Sequence, residues 1–232
     1  MSLDIKNLSG GYGQLTVLKD ISFVVPDGTL TALVGLNGSG KSTTINHIIG
    51  LLNPKRGSIT LNGLSLTQQP IDYKAQIAYI PEQPVVYEEL TLKEHLALTI
   101  ATYHLDEKAA WQRANELLKI FRLDDKLTWF PTHFSKGMRQ KVMIVMAFIT
   151  NAKLFIIDEP FLGLDVIAVN DLLTLIDNRK RQGVTFLLTT HVLDTIGKHA
   201  NNFVYLKDGQ VAVQGAASEF ARLVPELAVD EG

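Results

Sequence analysis

There is no cysteine anywhere in this sequence. Disulfides, thiolate metal sites and cysteine nucleophiles are therefore excluded, and a reducing compartment is permitted without being demonstrated. Nor is there an excess of charge of either sign: 22 basic side chains stand against 24 acidic ones. That balance argues against a general nucleic-acid-binding surface, whose electrostatic footprint is basic. Long hydrophobic runs are missing. The longest, residues 142–149, is far short of the roughly 20 residues that cross a bilayer. The opening stretch, MSLDIKNLSG, has neither the basic nor the apolar segment of a signal peptide. Repeats, low-complexity tracts and long linkers are also lacking. What is present is a chain of 232 residues, 46% of them hydrophobic. That is enough to bury a sizeable core in one α/β domain, alone or carrying an inserted subdomain. A mean hydropathy of +0.12 fits a protein that docks on partners.

The most informative stretch is residues 35–43, GLNGSGKST. An apolar run, Leu30-Thr31-Ala32-Leu33-Val34, precedes it and reads as a buried strand; Ile45-Asn46-His47-Ile48-Ile49 follows and reads as a helix. Strand, glycine-rich loop and helix are the context in which G-x-x-x-x-G-K-[ST] is a P-loop. Gly35, Gly38 and Gly40 let the backbone curl and aim N–H groups inward. Together with the positive end of the helix, those groups seat phosphate. Asn37, Ser39 and Thr43 complete the loop, Lys41 supplies a mobile positive charge for the outer phosphates, and Ser42 offers a hydroxyl to Mg²⁺.

Around this loop the chain alternates. Residues 1–29 read as short strands joined by turns, with Tyr12 held in the glycine loop 10–13. Tyr12 is equally an adenine-stacking aromatic or an ordinary loop tyrosine on these grounds. Strands follow at 58–61 and 77–80, the second ending at Pro81-Glu82-Gln83-Pro84. Gln83 therefore lies just past a strand end, where ligands gather in open parallel sheets. From residue 90 the pattern turns helical. Thr91 and Glu94 form a capping box, Asp106 caps the next helix, and Ser135 caps a third, with Met138, Val142, Val145, Met146 and Ile149 along one side. Strand and helix then alternate again, through 154–157, 185–188 and a closing hairpin turning at Asp208-Gly209. The expected domain plan is an α/β core of residues 1–84 and 152–215, a helical subdomain of 85–151, and a tail, 216–232, with a short helix at most.

The apolar run 154–157 ends in Asp158-Glu159. Asp158 suits Mg²⁺, usually through water; Glu159 is the candidate to orient or deprotonate an attacking water. His191 lies past another strand end, in reach of a γ-phosphate. Ser135, Lys136 and Gly137 open a helix and form a second anion seat, which makes sense if it faces a nucleotide held by another copy.

These motifs, in this order, resemble the ATP-binding subunit of an ABC transporter over nearly the whole chain. Residues 35–43 match its Walker A loop, 154–159 its Walker B strand and catalytic glutamate, Gln83 its Q-loop, Gly163-Leu164-Asp165 its D-loop and His191 its switch histidine. Tyr12 matches the adenine-stacking aromatic. The phrasing IPEQPVVYEELTLKEHL, WFPTHFSKGMRQKVM and IDEPFLGLD is similar to the ATPase of Ecs-type transporters. The signature departs: the usual LSGGQ reads Phe134-Ser135-Lys136-Gly137-Met138 here, which puts the trans contacts and the hydrolysis rate in question. The resemblance implies an α/β P-loop NTPase core of RecA-like type with an N-terminal antiparallel β subdomain and an inserted α-helical subdomain. It also implies ATP and Mg²⁺ as ligands, Ser42, Gln83 and Asp158 toward the metal, and Glu159, Gln83 and His191 in catalysis. Asp165 would carry dimer communication. Partners would be membrane transporter subunits and a second ATPase subunit at the cytoplasmic face of the membrane, with no nucleic acid, and export is the implied direction. Two rivals stand: a soluble ABC-type ATPase acting on nucleic acid or ribosomes, and a regulatory nucleotide-binding module without useful turnover.

Overall fold

The structure, a computed structural model, describes residues 2–190 and 193–228. Two sheets carry the architecture. Strands β1 (Ser2–Gly10), β2 (Leu18–Pro26), β4 (Arg56–Leu61) and β5 (Leu64–Ser65) form an antiparallel sheet in the order β2-β1-β4-β5. The second sheet runs β10-β9-β3-β8-β7-β6, built from β3 (Leu30–Val34), β6 (Ile77–Ile80), β7 (Leu154–Asp158), β8 (Thr185–Thr189), β9 (Asn202–Lys207) and β10 (Gln210–Ala216). Its pairings are parallel except at the β9–β10 hairpin. Every residue of β3, β7 and β8 is buried, as their largely apolar runs suit: a parallel sheet is covered on both faces.

Side chains alternate between those faces. Phe155 and Ile157 of β7, with Phe186 and Leu188 of β8, enter the core that contains the helices α3 (Leu92–Thr102), α4 (Glu107–Phe121), α5 (Lys136–Phe148) and α6 (Val166–Arg181). Leu154, Ile156 and Leu187 point the other way, toward α1 (Lys41–Ile48), α2 (Pro70–Lys74) and the antiparallel sheet. Phe148 of α5 lies on Phe155, ring centres 4.8 Å apart, and Phe155 on Phe186 at 5.2 Å; aromatic pairs at such spacing add about 0.5–1.5 kcal/mol beyond area burial. The helices of residues 85–151 thus share one core with a sheet face.

The expected caps are present. Glu94 N–H donates to Thr91 Oγ1 while Thr91 N–H donates to Glu94 Oε2, the complete capping box. Asp106 Oδ1 accepts from Ala109 N–H and Ser135 Oγ from Met138 N–H. The far end of α5 has no glycine cap. Instead Arg113 of α4 bonds Ile149 O and Arg179 of α6 bonds Phe148 O, satisfying carbonyls that a helix end leaves open.

Two expectations need correction. The apolar stripe assigned to the third helix was too narrow: Gln140, Ile144 and Phe148 are also buried, because α5 is wedged between helices and sheet. The tail is more than a short helix at most. After α7 (Leu193–His199), the residues that follow β10 form a 3-10 turn, then α8 (Phe220–Leu223) and α9 (Pro225–Ala228). Phe220 packs edge-on against Phe203 of β9 at 5.0 Å, and Val224 is fully buried beside them.

Candidate nucleotide site

The P-loop leaves β3 at its carboxyl end and enters α1. A Cβ at Gly35 would sit 2.4 Å from Ser39 Oγ and 2.5 Å from Leu206 O, so only glycine allows the loop to close on itself. Gly40, the N-cap of α1, has φ 109°, a backbone that L side chains rarely adopt. Leu36, Asn37 and Gly38 are exposed at the rim, whereas Ser39, Lys41 and Thr43 are buried and Ser42 is exposed. Lys41 Nζ donates to Gly35 O at 2.6 Å and Leu36 O at 3.3 Å. Burial lowers its pKa, and the carboxylates of Glu159, Asp158 and Glu82 pull the other way. Ser39 Oγ is buried with no hydrogen-bond partner. An orphaned hydroxyl, a cramped glycine backbone and a buried lysine fit a phosphate chain.

Opposite stands the end of β7. Asp158 is 6% exposed. Burial raises its pKa, a hydrogen bond from Thr189 opposes this, Glu82 adds to it and Lys41 counters it. Glu159 follows with φ 46°, left-handed backbone in a residue other than glycine, a conformation that turns its side chain away from the strand's alternation. Its N–H donates to Thr189 Oγ1 and Thr189 O at 3.0 and 3.2 Å. Gln83 lies exposed just beyond the end of β6, whose Ile80 pairs with Ile157. The loop, Gln83 and the acidic pair therefore meet along the carboxyl edge of one parallel sheet. His191 lies outside the described residues. Ser42, Gln83 and Asp158 are hard oxygen donors of the kind Mg²⁺ takes. Among the described residues no group of three or more His, Asp or Glu gathers to cage an ion.

Tyr12 is 47% exposed, and its hydroxyl accepts from Asn46 Nδ2 of α1 at 3.1 Å. Lys55 Nζ holds the same loop through Gln14 O, Leu15 O and Thr16 Oγ1. Neither Asn46 nor Lys55 was legible beforehand, since each acts on a loop distant in sequence.

The signature residues assemble separately. Ser135 and Lys136 are exposed at the start of α5. Gly137 packs so tightly on the D-loop that a Cβ there would lie 2.3 Å from Gly163 O. Asp165 caps α6 through Ala168 N–H, and its Oδ2 pairs with Lys141 Nζ at 2.7 Å. The lysine bond, then the backbone bond, lower its pKa. Signature helix and D-loop are thus one unit within the chain, a contact for which the sequence offered only the glycine and the aspartate.

Fold and site together define a class. The ABC transporter family model matches residues 18–162, and the chain belongs to that family: it is an ATP-binding cassette and an ATPase. Within the family it is 50% identical over 217 residues to the ABC-type transporter ATP-binding protein EcsA of Bacillus subtilis (strain 168), covering 94% of this chain and 88% of that one. The Ecs-type resemblance is thereby borne out. A solved structure of an ATP-binding subunit of an ABC transporter matches with a TM-score of 0.94 at 49% identity, over 99% of both chains. A dimeric cassette in a post-hydrolysis state, bound to ADP and Pi, shares the fold at 24% identity with a TM-score of 0.82, over 93% of this chain and 98% of that one.

Proposed function

We propose that this cassette powers transport, in the export direction, through separate membrane-embedded subunits, and that it does so by closing with a second ATPase subunit, a copy of itself, over two ATP molecules. The observation that supports this reading is the division of the phosphate-binding groups. The P-loop seat is built from the buried core, while Ser135 and Lys136 present a second seat outward at the start of a 13-residue helix. A seat that faces out needs a ligand held elsewhere.

In this reading Tyr12 stacks on adenine. The N–H groups of residues 35–43 and the N-terminus of α1 hold the phosphates, with Lys41 turning from its own loop carbonyls to the outer phosphates. Ser42, Asp158 and Gln83 would hold Mg²⁺, which when bound would supply positive charge against the phosphates. Glu159 takes a proton from water as the water oxygen bonds to the γ-phosphorus and the bond to the bridging oxygen of ADP breaks. His191 holds the γ-phosphate. Ser135, Lys136 and Gly137 of one copy close on the γ-phosphate of the other, with Asp165 at the joint between them. Loss of that phosphate opens the pair, and the open and closed states drive the membrane subunits.

No helix among the described residues is long and apolar enough to cross a membrane; in this reading the cassette reaches the membrane by docking. Val85 and Tyr87 are 67% and 58% exposed beside Gln83, and they line the surface for a membrane-subunit helix at the cytoplasmic face. The deciding experiment is co-purification of the tagged native chain from gently solubilised cells, with partners identified by mass. A polytopic membrane protein as the main stoichiometric partner is expected. Ribosomes or nucleic acid in its place would refute the transporter role and leave the ATPase intact. Glu159→Gln is expected to bind ATP, lose turnover and accumulate the ATP-bound dimer; native turnover would remove Glu159 from the role of base.

A further inference from the structure

Thr189 ends β8 with no exposed surface. It stands opposite Asp158 in the parallel register. Its Oγ1 makes two directional bonds at once. The hydroxyl donates to Asp158 Oδ1 at 2.5 Å, and the same oxygen accepts the N–H of Glu159 at 3.0 Å. The second bond fixes the sense of the first: an oxygen receiving an N–H turns its own proton to the carboxylate. A carboxylate acceptor makes the bond charge-assisted and stronger than a neutral one. The Thr189 carbonyl receives the Glu159 N–H as well, at 3.2 Å. One residue therefore holds the Asp158 carboxyl group in a single rotation, with Oδ1 engaged and Oδ2 left for the ion. It also anchors the backbone of Glu159 in its left-handed conformation, φ 46°, which is unfavourable for a residue with a Cβ when nothing holds it. Valine would fill the same β-branched shape in a strand and make neither bond, so the hydroxyl answers to something other than packing.

We propose that Thr189 is a positioning residue for ATP hydrolysis, its hydroxyl setting both the carboxylate that meets Mg²⁺ and the backbone of the glutamate that meets water. The proposal rests on the roles given above to Asp158 and Glu159. It assigns the hydroxyl a duty toward the metal and the water, and none toward the nucleotide's base or toward the P-loop.

The test compares the full chain with Thr189→Val, which keeps the shape, and Thr189→Ser, which keeps the hydroxyl. Two quantities are read: ATP affinity with and without Mg²⁺, and steady-state turnover against Mg²⁺ concentration. In the valine variant, ATP affinity in EDTA stays within twofold of native. The gain in affinity on adding Mg²⁺ shrinks at least fivefold, the Mg²⁺ concentration for half-maximal turnover rises by a similar factor, and kcat falls at least tenfold. Serine restores each to within threefold. Native Mg²⁺ dependence in the valine variant overturns the proposal. So does equal weakening of EDTA and Mg²⁺ binding, which marks a merely structural hydroxyl. Should the valine variant not fold, Thr189→Ala is read by the same two affinities. Glu159→Gln, run in parallel, separates the layers: native turnover there refutes the underlying assignment of the base, whereas lost turnover there beside an indifferent valine variant refutes only the role of Thr189.

Discussion

The two phosphate seats of the proposed mechanism are made in opposite ways. The first is backbone wrapped into the core: Gly35 closes against Ser39 and Leu206, Lys41 is buried, and Asp158 and Glu159 stand near it with little exposure. The second is a helix end turned outward, with Ser135 and Lys136 exposed and Gly137 pressed on the D-loop. The contrast teaches that affinity and timing are separable. A preorganised, buried seat binds nucleotide in a single chain, because its donors need little rearrangement. An exposed seat adds nothing until a second surface brings it a ligand and excludes water, and only then do its donors act at full strength.

The comparison breaks most visibly at Lys41. Lys41→Ala is expected to weaken ATP binding by the single chain on the order of 100-fold, since it deletes a charge-assisted partner of the outer phosphates; titration calorimetry with ATP measures it. Ser135→Ala should leave that affinity within twofold. If both variants lose affinity alike, the two seats are one site within the chain. The next effect is at Gly137. Gly137→Ala pushes a methyl group to 2.3 Å from Gly163 O, separating signature and D-loop. Turnover should drop about tenfold and ATP-dependent dimerisation should weaken, while monomer binding holds, as light scattering beside equilibrium binding would register; steric insertions at close-packed contacts cost about 1–3 kcal/mol. Smaller still is Lys136→Gly, which restores the usual signature residue. It should change the ATP concentration for dimerisation by a few fold at low salt and by less at 0.5 M NaCl, because the charge is exposed and screened. A salt-independent change would mean that the lysine acts by packing on Gly163.

The smallest expected effect concerns pH. The Lys141 and Ala168 bonds hold the Asp165 carboxyl below its usual 3.8. A depressed folded-state pKa means the native form binds fewer protons than the unfolded chain just below that value. The contribution is thus complete above pH 3.8 and is lost as pH falls through the lowered folded value. Lys141→Met should return the carboxyl toward its ordinary range, read by carbon chemical shifts of Asp165 between pH 2 and 6. An unmoved titration would assign the shift to the helix cap alone.

Much of the buried seat could be read in advance, because its chemistry is local. The P-loop spells itself in nine consecutive letters, strands β3, β7 and β8 are largely apolar runs, and Thr91, Asp106 and Ser135 cap helices as their positions suggested. What escaped was chemistry between distant segments. Thr189 reaches Asp158, Lys141 reaches Asp165, Asn46 reaches Tyr12 and Arg179 reaches the end of α5. No periodicity carries such pairs; they exist only once sheet order brings the segments side by side. The tail was underestimated for a related reason. Phe220 and Val224 stand at the helical spacing of four, but a single pair is too short a pattern to announce a helix face, and their burial is decided by Phe203 on the hairpin.

The order β10-β9-β3-β8-β7-β6 also governs how the protein can be born. β3, which launches the P-loop, is flanked by β8 and β9, strands that leave the ribosome far later. At elongation rates of about 5–20 residues per second, that buried strand waits on the order of 10–30 s for either neighbour. The antiparallel sheet, whose strands all lie within the first third of the chain, can pair early. The nucleotide-binding edge of the parallel sheet cannot. Nucleotide is thus unavailable as a folding aid until β8 and β9 have emerged, and termination before β8 leaves β3 and β7 without the strand that joins them.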